Sequence, residues 1–522
     1  MPSRISVTFA PSGVTTWVSA GTTVLEAAKS AGILLVAPCG GRGVCGACAV
    51  RVVDGALAGP DDVERAALVA APKGIRLACR ATVATAVRLS VPSRRENAPE
   101  LADGADAVEP LLAGVDLGTT SVAAVLIEAE SGRELARVTV QNRQQIFGAD
   151  VLSRVSASLA GHGRELSDLV ERSVLDALAA AATASGTDVR RIQRVVLAGN
   201  SAMAALLAES DMSSLSGHPF TPPFVGGPLR RDSALLSALA VDAEATVLPP
   251  VAGFVGGDAL AAVIGAGLVY AEAPILLVDF GTNAEIILAD RGALTVASAA
   301  AGPAFEGAGL SCGGPATDGA VVAVRIDSDG VVHAEVLGGG LPTWFSGSGL
   351  VSAMAALRRL GHLSAEGLLT ARGSLEQRFF IDERGVVGVS LGREDGRLSL
   401  NQLDVRVFQL GKAAVRVGVE AVLSAAGVEP AQLTEVLLAG AFGSALDVED
   451  LIELGVLPRA VMSVTRSVGN AALDGAAAIV LDHELLLLAE DTARAAHHVE
   501  LAADPSFNVR FLAATALEPF DS

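Results

Sequence analysis

The spacing of apolar and polar positions changes character once along the chain. The first part alternates short strands with short helices, at the periods of two and about 3.6 residues that distinguish them. The predicted elements are a hairpin at 5–9 and 15–18, helices at 23–30 and 61–70, and strands at 48–53 and 83–91. This set predicts a small α+β domain, which we bound at residues 1–94.

A different pattern begins at residue 112, after a polar, proline-flanked run that has no periodicity. That run, residues 95–111, predicts a tether. Beyond it, apolar strands that end in glycine-rich turns alternate with alanine-rich amphipathic helices, which is typical of an α/β fold. Two strand–turn–strand segments, residues 114–127 and 276–288, share one design: Asp-x-Gly-Thr followed by Thr or Asn.

Composition and charge exclude several classes of protein. Mean hydropathy is +0.49, but no stretch approaches the roughly 18–20 uninterrupted apolar residues of a membrane-spanning helix. The net charge of −20 argues against nucleic acid as a partner, because phosphate binding needs a basic surface. The start of the chain lacks the apolar core of a signal peptide. We therefore expect a cytoplasmic protein that binds neither membrane nor nucleic acid.

Four of the five cysteines form a candidate metal site. Cys39, Cys45 and Cys48 share one glycine-rich loop in a C-x5-C-x2-C pattern, and Cys79 follows after thirty residues. Four thiolates suit tetrahedral zinc as well as one [2Fe–2S] cluster. Zinc sites usually come as two close pairs, whereas a loop with three ligands and a distant fourth can wrap a two-iron cluster. The spacing therefore favours [2Fe–2S] and an electron-transfer role.

With these elements the first domain resembles the β-grasp ferredoxin fold. The five-residue first gap is closer to adrenodoxin-type ferredoxins than to plant-type ones, whose gap is four. Two features near the ligands leave alternatives open. Arg42 and Arg80 either raise the cluster's potential slightly or are simply solvated. Asp61, Asp62 and Glu64 fit an electron-donor docking face or the acidic first turn of a helix, and we prefer the helix.

The two Asp-x-Gly-Thr turns have a chemical interpretation. Each offers backbone N–H groups and a threonine hydroxyl to phosphate oxygens, and each aspartate can hold Mg²⁺ through water. One such turn is weak evidence, since an Asp-Leu-Gly turn is more often only a turn. Two facing turns would clamp a triphosphate from both sides. The pair also stands in a fixed order with a small-residue helix at 255–267 and glycine-rich segments at 436–444 and 469–478.

This order resembles the ASKHA superfamily of acetate and sugar kinases, Hsp70 and actin. The resemblance implies two lobes, residues 112–272 and 273–522, that bind ATP with Mg²⁺. It places Asp258 where a connect-1 carboxylate orients the attacking water, although that residue would suit a helix N-cap equally well. The other implied site residues are Asp116, Gly118, Thr119 and Thr120 (phosphate-1), Asp279, Gly281, Thr282 and Asn283 (phosphate-2), and Gly440, Ala441, Phe442 and Gly443 (adenosine loop).

A ferredoxin fused to an ASKHA ATPase is similar to the reductive activators of corrinoid proteins. The local segments that carry this likeness are 199–203, 221–224, 302–307, 409–414 and 438–443. The resemblance implies ATP-dependent transfer of one electron from the [2Fe–2S] cluster to the inactive Co(II) corrinoid of a methyltransferase system, which regenerates Co(I). The implied partners are that corrinoid protein and an upstream reductase or ferredoxin, and a homodimer stays open. Longer family members carry an extra domain where this chain has only the tether.

The same resemblance implies a reason why the electron transfer would need ATP. Plant-type clusters have potentials near roughly −400 mV, and the Co(II)/Co(I) couple is lower still. Either ATP or the removal of cobalt's axial ligand must therefore make the electron transfer favourable.

Three other functions fit the same motifs. The first is a carbohydrate or carboxylate kinase with a regulatory ferredoxin domain, although nothing resembles a sugar-kinase substrate signature. The second is a plain electron carrier whose ATPase-like part only binds a partner. The third is an ATP-coupled electron donor to another low-potential enzyme. The corrinoid activator is the function we favour.

Overall fold

The computed structural model describes residues 4–521 except 11, 34, 36, 38, 40, 44, 45, 47, 69–72, 92–108, 149, 393–397 and 441–445. The chain forms two compact units. Unit 1 comprises Met1–Glu272 and Ala471–Ala495, and unit 2 comprises Ala273–Asn470 and Ala496–Ser522. Elements are labelled in chain order through the whole molecule.

The first part of unit 1 is a five-stranded sheet in the order β2-β1-β5-β3-β4. Its elements are β1 (Ile5–Ala10), β2 (Thr15–Val18), α1 (Val24–Ser30), β3 (Ala49–Leu57), α2 (Asp62–Ala67), β4 (Ile75–Leu77) and β5 (Val83–Ser90). Strands β1 and β5 are parallel, and the other pairs are antiparallel. The predicted hairpin, helices and strands of this domain are confirmed, except that α2 ends before the predicted residue 70.

Local sequence explains where α1 begins. The Thr23 side chain accepts from the backbone N–H of Glu26, and the Glu26 carboxylate accepts from the backbone N–H of Thr23, which is a capping box. Val24, Ala27 and Ala28 then fall on one face and are buried against the sheet. The 3.6-residue period predicted this helix because its apolar face and its cap agree.

The second part of unit 1 is a six-stranded sheet in the order β10-β11-β9-β6-β7-β8. Its strands are β6 (Leu111–Leu117), β7 (Ser121–Glu128), β8 (Glu134–Gln141), β9 (Ile192–Gly199), β10 (Gly227–Pro228) and β11 (Glu244–Val247). Its helices are α3 (Val151–Ala157), α4 (Gly163–Ser185), α5 (Ser201–Leu207), α6 (Ala234–Ser237), α7 (Gly257–Gly265), α11 (Ala471–Leu481) and α12 (His483–Ala495). The predicted tether, residues 95–111, lies outside the described residues as far as 108, and Leu111 already belongs to β6.

Unit 2 holds a second six-stranded sheet in the order β22-β21-β12-β13-β14-β23, with two small three-stranded sheets. Its strands are β12 (Ile275–Phe280), β13 (Ala284–Asp290), β14 (Ala293–Ala299), β15 (Ala320–Ile326), β16 (Val332–Val336), β17 (Trp344–Phe345), β18 (Phe379–Ile381), β19 (Val387–Ser390), β20 (Ser399–Asn401), β21 (Glu435–Ala439), β22 (Thr465–Gly469) and β23 (His497–His498). Its helices are α8 (Gly347–Arg359), α9 (Gln402–Ala426), α10 (Val448–Glu453) and α13 (Phe507–Ala513).

The two large sheets repeat one topology. In unit 1, β6, β7 and β8 form an antiparallel meander, and β9 and β11 continue the sheet in parallel with β6. In unit 2, β12, β13 and β14 form the same meander, and β21 and β22 continue it in parallel with β12. Each meander begins with the strand that carries an Asp-x-Gly-Thr turn. This repeat is the two-lobed α/β architecture that the ASKHA resemblance implies.

Helices α11 and α12 come late in the sequence but belong to unit 1. Helix α11 packs so closely on α7 that a Cβ added at Gly475 would overlap the Ala261 carbonyl. It also lies against β6, since a Cβ at Gly114 would come within 2.7 Å of the Ala477 nitrogen. The small residues of both helices therefore permit near contact of their backbones, which larger side chains would prevent.

Within the described residues, no helix combines the length and apolar character that crossing a bilayer requires.

Candidate functional site

Three of the predicted cluster ligands converge in the first domain. Cys39, Cys48 and Cys79 are buried, and the Sγ atoms of Cys48 and Cys79 are 3.3 Å apart. The neighbouring thiols of Cys39 and Cys48, with burial, raise the pKa of Cys79, as expected when several thiols share one small site. Cys45 lies outside the described residues. The three described thiols fit a sulfur-ligated metal cluster.

The two arginines near the ligands have different surroundings. The Nη1 atom of Arg42 donates to the Cys39 carbonyl at 2.9 Å and to the Gly267 carbonyl at 2.8 Å. Arg80 donates through Nε to Asp61 at 2.9 Å. The solvated alternative is therefore wrong for Arg42, whereas Arg80 forms a partly exposed ion pair with Asp61. The Arg42 bond joins the cysteine loop to the residue two positions beyond α7.

The acidic residues near the loop are helix and core groups. Asp61 is the N-cap of α2 and accepts from the backbone N–H of Glu64 at 2.7 Å. Glu64 is fully buried and binds Arg76 through both carboxylate oxygens at 2.8 Å. The preferred interpretation, an acidic first turn, is confirmed. Burial excludes Glu64 from a docking face.

The phosphate-1 turn joins β6 to β7, and two buried side chains and one exposed side chain hold its carbonyl groups. Asn142 Nδ2 donates to the Gly118 carbonyl at 2.9 Å. Arg154 Nη2 donates to the Thr119 carbonyl at 2.6 Å, and Gln145 Nε2 donates to the Thr120 carbonyl at 2.9 Å. The support of this turn therefore comes from the segment that follows β8.

Asn200 holds the side chain of the same turn. Its Nδ2 donates to Thr119 Oγ1 at 2.9 Å, and its Oδ1 caps α5 by accepting from Met203 N at 3.0 Å. Thr119 is only 7% exposed. Since a hydroxyl has one proton and two lone pairs, this bond leaves the Thr119 proton for another acceptor.

Asp258 lies in the first turn of α7, next to Asp116. The N-cap of α7 is Gly256, so the interpretation of Asp258 as a cap is wrong. Its Oδ1 accepts from the following backbone N–H, Ala259, at 2.8 Å. Burial and the nearby negative charge of Asp116 raise the pKa of Asp258 to about 7. The structure thus brings together two of the three predicted catalytic carboxylates.

The phosphate-2 turn joins β12 to β13 in unit 2. The Thr282 hydroxyl, 4% exposed, donates to Glu306 Oε1 at 3.0 Å. Asp279 at the end of β12 lies against Gly440, where an added Cβ would come within 2.7 Å of Asp279 Oδ1. Gly440 also has φ +93°, which disfavours any side chain. Ala441, Phe442 and Gly443 of the predicted adenosine loop lie outside the described residues.

Several supporting residues carried no clear signal in the sequence. Asn142 and Gln145 belong to a polar run after a strand, which usually marks an exposed loop. Arg154 is the largest fully buried side chain of the described residues. Its position three residues after Val151 on one helix face is the only indication that it points inward.

The signature at 409–414 serves structure. Gln409 Nε2 donates to the Thr515 carbonyl at 2.8 Å, and Lys412 Nζ donates to the Gly455 and Ala516 carbonyls at 3.2 and 2.5 Å. Burial lowers the pKa of Lys412 to about 7. These two side chains tie the end of the chain to α9.

Family models match nearly the whole chain. Residues 7–84 match the 2Fe-2S iron-sulfur cluster binding domain, 112–270 match the RACo middle region, and 273–522 match the C-terminal domain of RACo, the ASKHA domain. The first domain is thus a [2Fe–2S] domain, and the last match identifies the ASKHA fold.

Named relatives agree with these matches. The chain is 34% identical over 418 residues to the corrinoid activation enzyme RamQ of Eubacterium limosum, covering 75% of this chain and 68% of that one. It is 24% identical over 432 residues to a reductase of Methanosarcina barkeri named for a Co(II) methylated amine-specific corrinoid protein, covering 76% and 75%. A solved structure titled reductive activator for corrinoid, iron-sulfur protein shares the fold, with a TM-score of 0.74 at 24% identity, over 99% of this chain and 98% of that one.

Proposed function

The chain belongs to the RACo family, and from that premise we propose that it is an ATP-dependent reductive activator of a corrinoid protein. It transfers one electron from its [2Fe–2S] cluster to an inactive Co(II) corrinoid and so regenerates Co(I). The observation that carries this proposal is the joining of a [2Fe–2S] domain to two lobes that each present an Asp-x-Gly-Thr turn.

The cluster is proposed to sit on Cys39, Cys45, Cys48 and Cys79. Three of these thiols converge, and Arg42 braces the loop that supplies Cys39 and Cys48. When bound, the cluster supplies a one-electron reductant. An upstream reductase or ferredoxin is the proposed source of that electron.

Each Asp-x-Gly-Thr turn is proposed to bind nucleotide phosphate. In this proposal Asp116 and Asp279 hold Mg²⁺ through water, and Asp258 orients the attacking water. A carboxyl with a pKa near 7 can accept a proton from water at neutral pH, which suits that role for Asp258. The domain limits proposed with this assignment are 1–94, 95–111, 112–272 and 273–522.

The direct test mixes the reduced protein with a Co(II) corrinoid protein, with and without MgATP, and follows the Co(I) absorption band. We expect Co(I) to appear much faster with MgATP. Co(I) formation at the same rate without nucleotide would contradict the ATP dependence.

Two controls separate the parts of the proposal. The Cys79→Ser variant should lose both the cluster and Co(I) formation while it still binds MgATP. Phosphoryl transfer from ATP to a sugar or carboxylate, with no effect of the corrinoid protein on ATP turnover, would instead indicate the small-molecule kinase.

A further inference from the structure

Arg154 occupies an unusual place for an arginine. It is fully buried, and one of its hydrogen bonds reaches the phosphate-1 turn directly. Nη2 donates to the Thr119 carbonyl at 2.6 Å, and Nη1 donates to Gln144 Oε1 at 3.0 Å and to Met203 Sδ at 3.2 Å. The Gly148 carbonyl accepts longer bonds of 3.4 Å from Nε and Nη2.

The bond to the Thr119 carbonyl has a geometric consequence. In a trans peptide the C=O and the following N–H point in opposite directions. With the Thr119 carbonyl held toward Arg154, the N–H of Thr120 must point away from it. Asn142 and Gln145 donate to the neighbouring Gly118 and Thr120 carbonyls. Three successive carbonyls of the phosphate-1 turn are therefore fixed by side chains of the segment that follows β8, and Arg154 is the charged one among these donors.

Charge adds to this geometry. A guanidinium keeps its proton at every relevant pH, and its planar fork can hold several acceptors at once. Inside the protein the low effective dielectric lets its field reach farther than it would in water. A permanent positive charge bonded to the Thr119 carbonyl therefore favours a negative ligand at the phosphate-1 turn.

We propose that Arg154 is a positioning residue for nucleotide phosphate: it orients the phosphate-1 turn through the Thr119 carbonyl and places a buried positive charge behind it. This inference rests on the proposed function, in which that turn binds ATP. Arg154 itself acts through the turn and does not contact the nucleotide.

The test uses the full chain with its cluster and compares wild type with Arg154→Met and Arg154→Lys. Arg154→Met removes both the charge and the fork, and should raise the Kd for MgATP by at least about tenfold. Arg154→Lys keeps the charge but loses the planar fork, so its Kd should lie between the two. The Kd for adenosine, which lacks phosphate, should stay within about twofold of wild type, because a phosphate-specific role leaves the nucleoside contacts intact.

The matched control is Arg190→Gln, which removes an exposed arginine that pairs with Asp188 in the same unit. It should bind both ligands as wild type does. Thermal melting and far-UV circular dichroism report whether each variant folds, and if Arg154→Met does not fold, Arg154→Lys decides the question.

The outcomes distinguish a failure of the proposed function from a failure of the role assigned to Arg154. A wild-type protein that binds no MgATP would overturn the proposed function. A folded Arg154→Lys or Arg154→Met variant with wild-type MgATP affinity, or an equal loss of MgATP and adenosine binding, would overturn the inference alone. Failure of both variants to fold would also overturn it, because Arg154 would then serve the fold in general.

Discussion

The phosphate-1 and phosphate-2 turns share a sequence pattern and a place in the topology, but their surroundings differ. The turn between β6 and β7 is held by side chains that donate to its carbonyls and by Asn200, which donates to the Thr119 hydroxyl. The turn between β12 and β13 is held through its own threonine, which donates to Glu306. One hydroxyl therefore accepts from the protein, and the other donates to it.

This difference changes what each hydroxyl can offer a ligand. Thr119 keeps its proton and can donate to a phosphate oxygen. Thr282 gives its single proton to Glu306, so toward a ligand it can act only as an acceptor. Acceptor oxygens suit a magnesium ion or the water molecules bound to it. Two turns with the same sequence pattern therefore offer a ligand different hydrogen-bonding groups, a donor at Thr119 and an acceptor at Thr282.

The largest expected effect comes from removing the aspartate of either turn. Asp116→Asn and Asp279→Asn should each lower ATP-dependent Co(I) formation by at least about a hundredfold, because each removes a charge proposed to hold Mg²⁺. The visible spectrum of the cluster should not change. If only one of the two variants loses Co(I) formation, the two turns do not share a role in nucleotide binding. The turn of the unaffected variant would then be only structural.

A smaller loss is expected when the acceptor of Thr282 is altered. Glu306→Gln weakens the hold on the hydroxyl and lets the amide compete as a donor, so the apparent affinity for Mg²⁺ in the ATPase assay should fall about three- to tenfold. Glu335→Gln, on an exposed stretch of β16 in the same unit, is the control. An unchanged dependence of ATPase activity on Mg²⁺ would show that donation from the Thr282 hydroxyl to Glu306 does not affect Mg²⁺ binding.

The carboxyl pair of unit 1 predicts a dependence on pH. The pKa of Asp258 is about 7 in the folded state and 3.8 ordinarily, so the folded protein binds the proton more tightly and loses stability as pH rises from about 4 through 7. Asp258→Asn does not titrate, so this variant does not lose that stability as the pH rises. Its Tm without nucleotide should exceed that of wild type by about 2–4 °C at pH 8, and the gain should vanish near pH 4.

The control for this effect is Asp242→Asn, which alters an exposed carboxyl in the same unit. Differential scanning calorimetry across pH 4–8 would measure both variants. A gain for Asp258→Asn that is the same at every pH would exclude titration of this group as its cause.

The smallest effect is expected at the exposed edge of the phosphate-1 turn. Gln145→Ala removes one of two hydrogen bonds to the Thr120 carbonyl, which also accepts from the backbone N–H of Asn142 at 3.0 Å. The KM for MgATP should rise about two- to threefold with little change in Tm. Gln141→Ala, a few residues earlier and also exposed, should have no effect. A larger loss for Gln145→Ala than for Asp116→Asn would reverse the order of importance given to the turn's supports.

Much of the fold could be predicted from the sequence, for reasons visible at particular residues. The hairpin of β1 and β2 and helix α1 followed from periodicity, and the capping box at Thr23 agrees with it. The first two strands of each meander, β6–β7 and β12–β13, followed from apolar runs broken by Asp-x-Gly-Thr. In each case the local signal and the tertiary environment agree.

What could not be predicted depends on contacts between residues far apart in sequence. Arg154 and Glu64 are charged, yet burial among polar partners makes them core residues, and composition alone favours the surface for both. Asp258 stands where a cap would be expected, but the N-cap of α7 is Gly256, two residues earlier. The roles of these residues follow from their tertiary partners, and no local pattern reports those partners.

The return of α11 and α12 to unit 1 has a consequence for synthesis of the protein. Residues 273–470 emerge from the ribosome before 471–495, so the faces of β6 and α7 that receive α11 stay uncovered while unit 2 is being made. The backbone groups around Gly114 and Ala261 are then open to wrong partners, as in other chains whose domains close late. Truncation at residue 470 should therefore yield aggregation of both units rather than a shorter, folded protein.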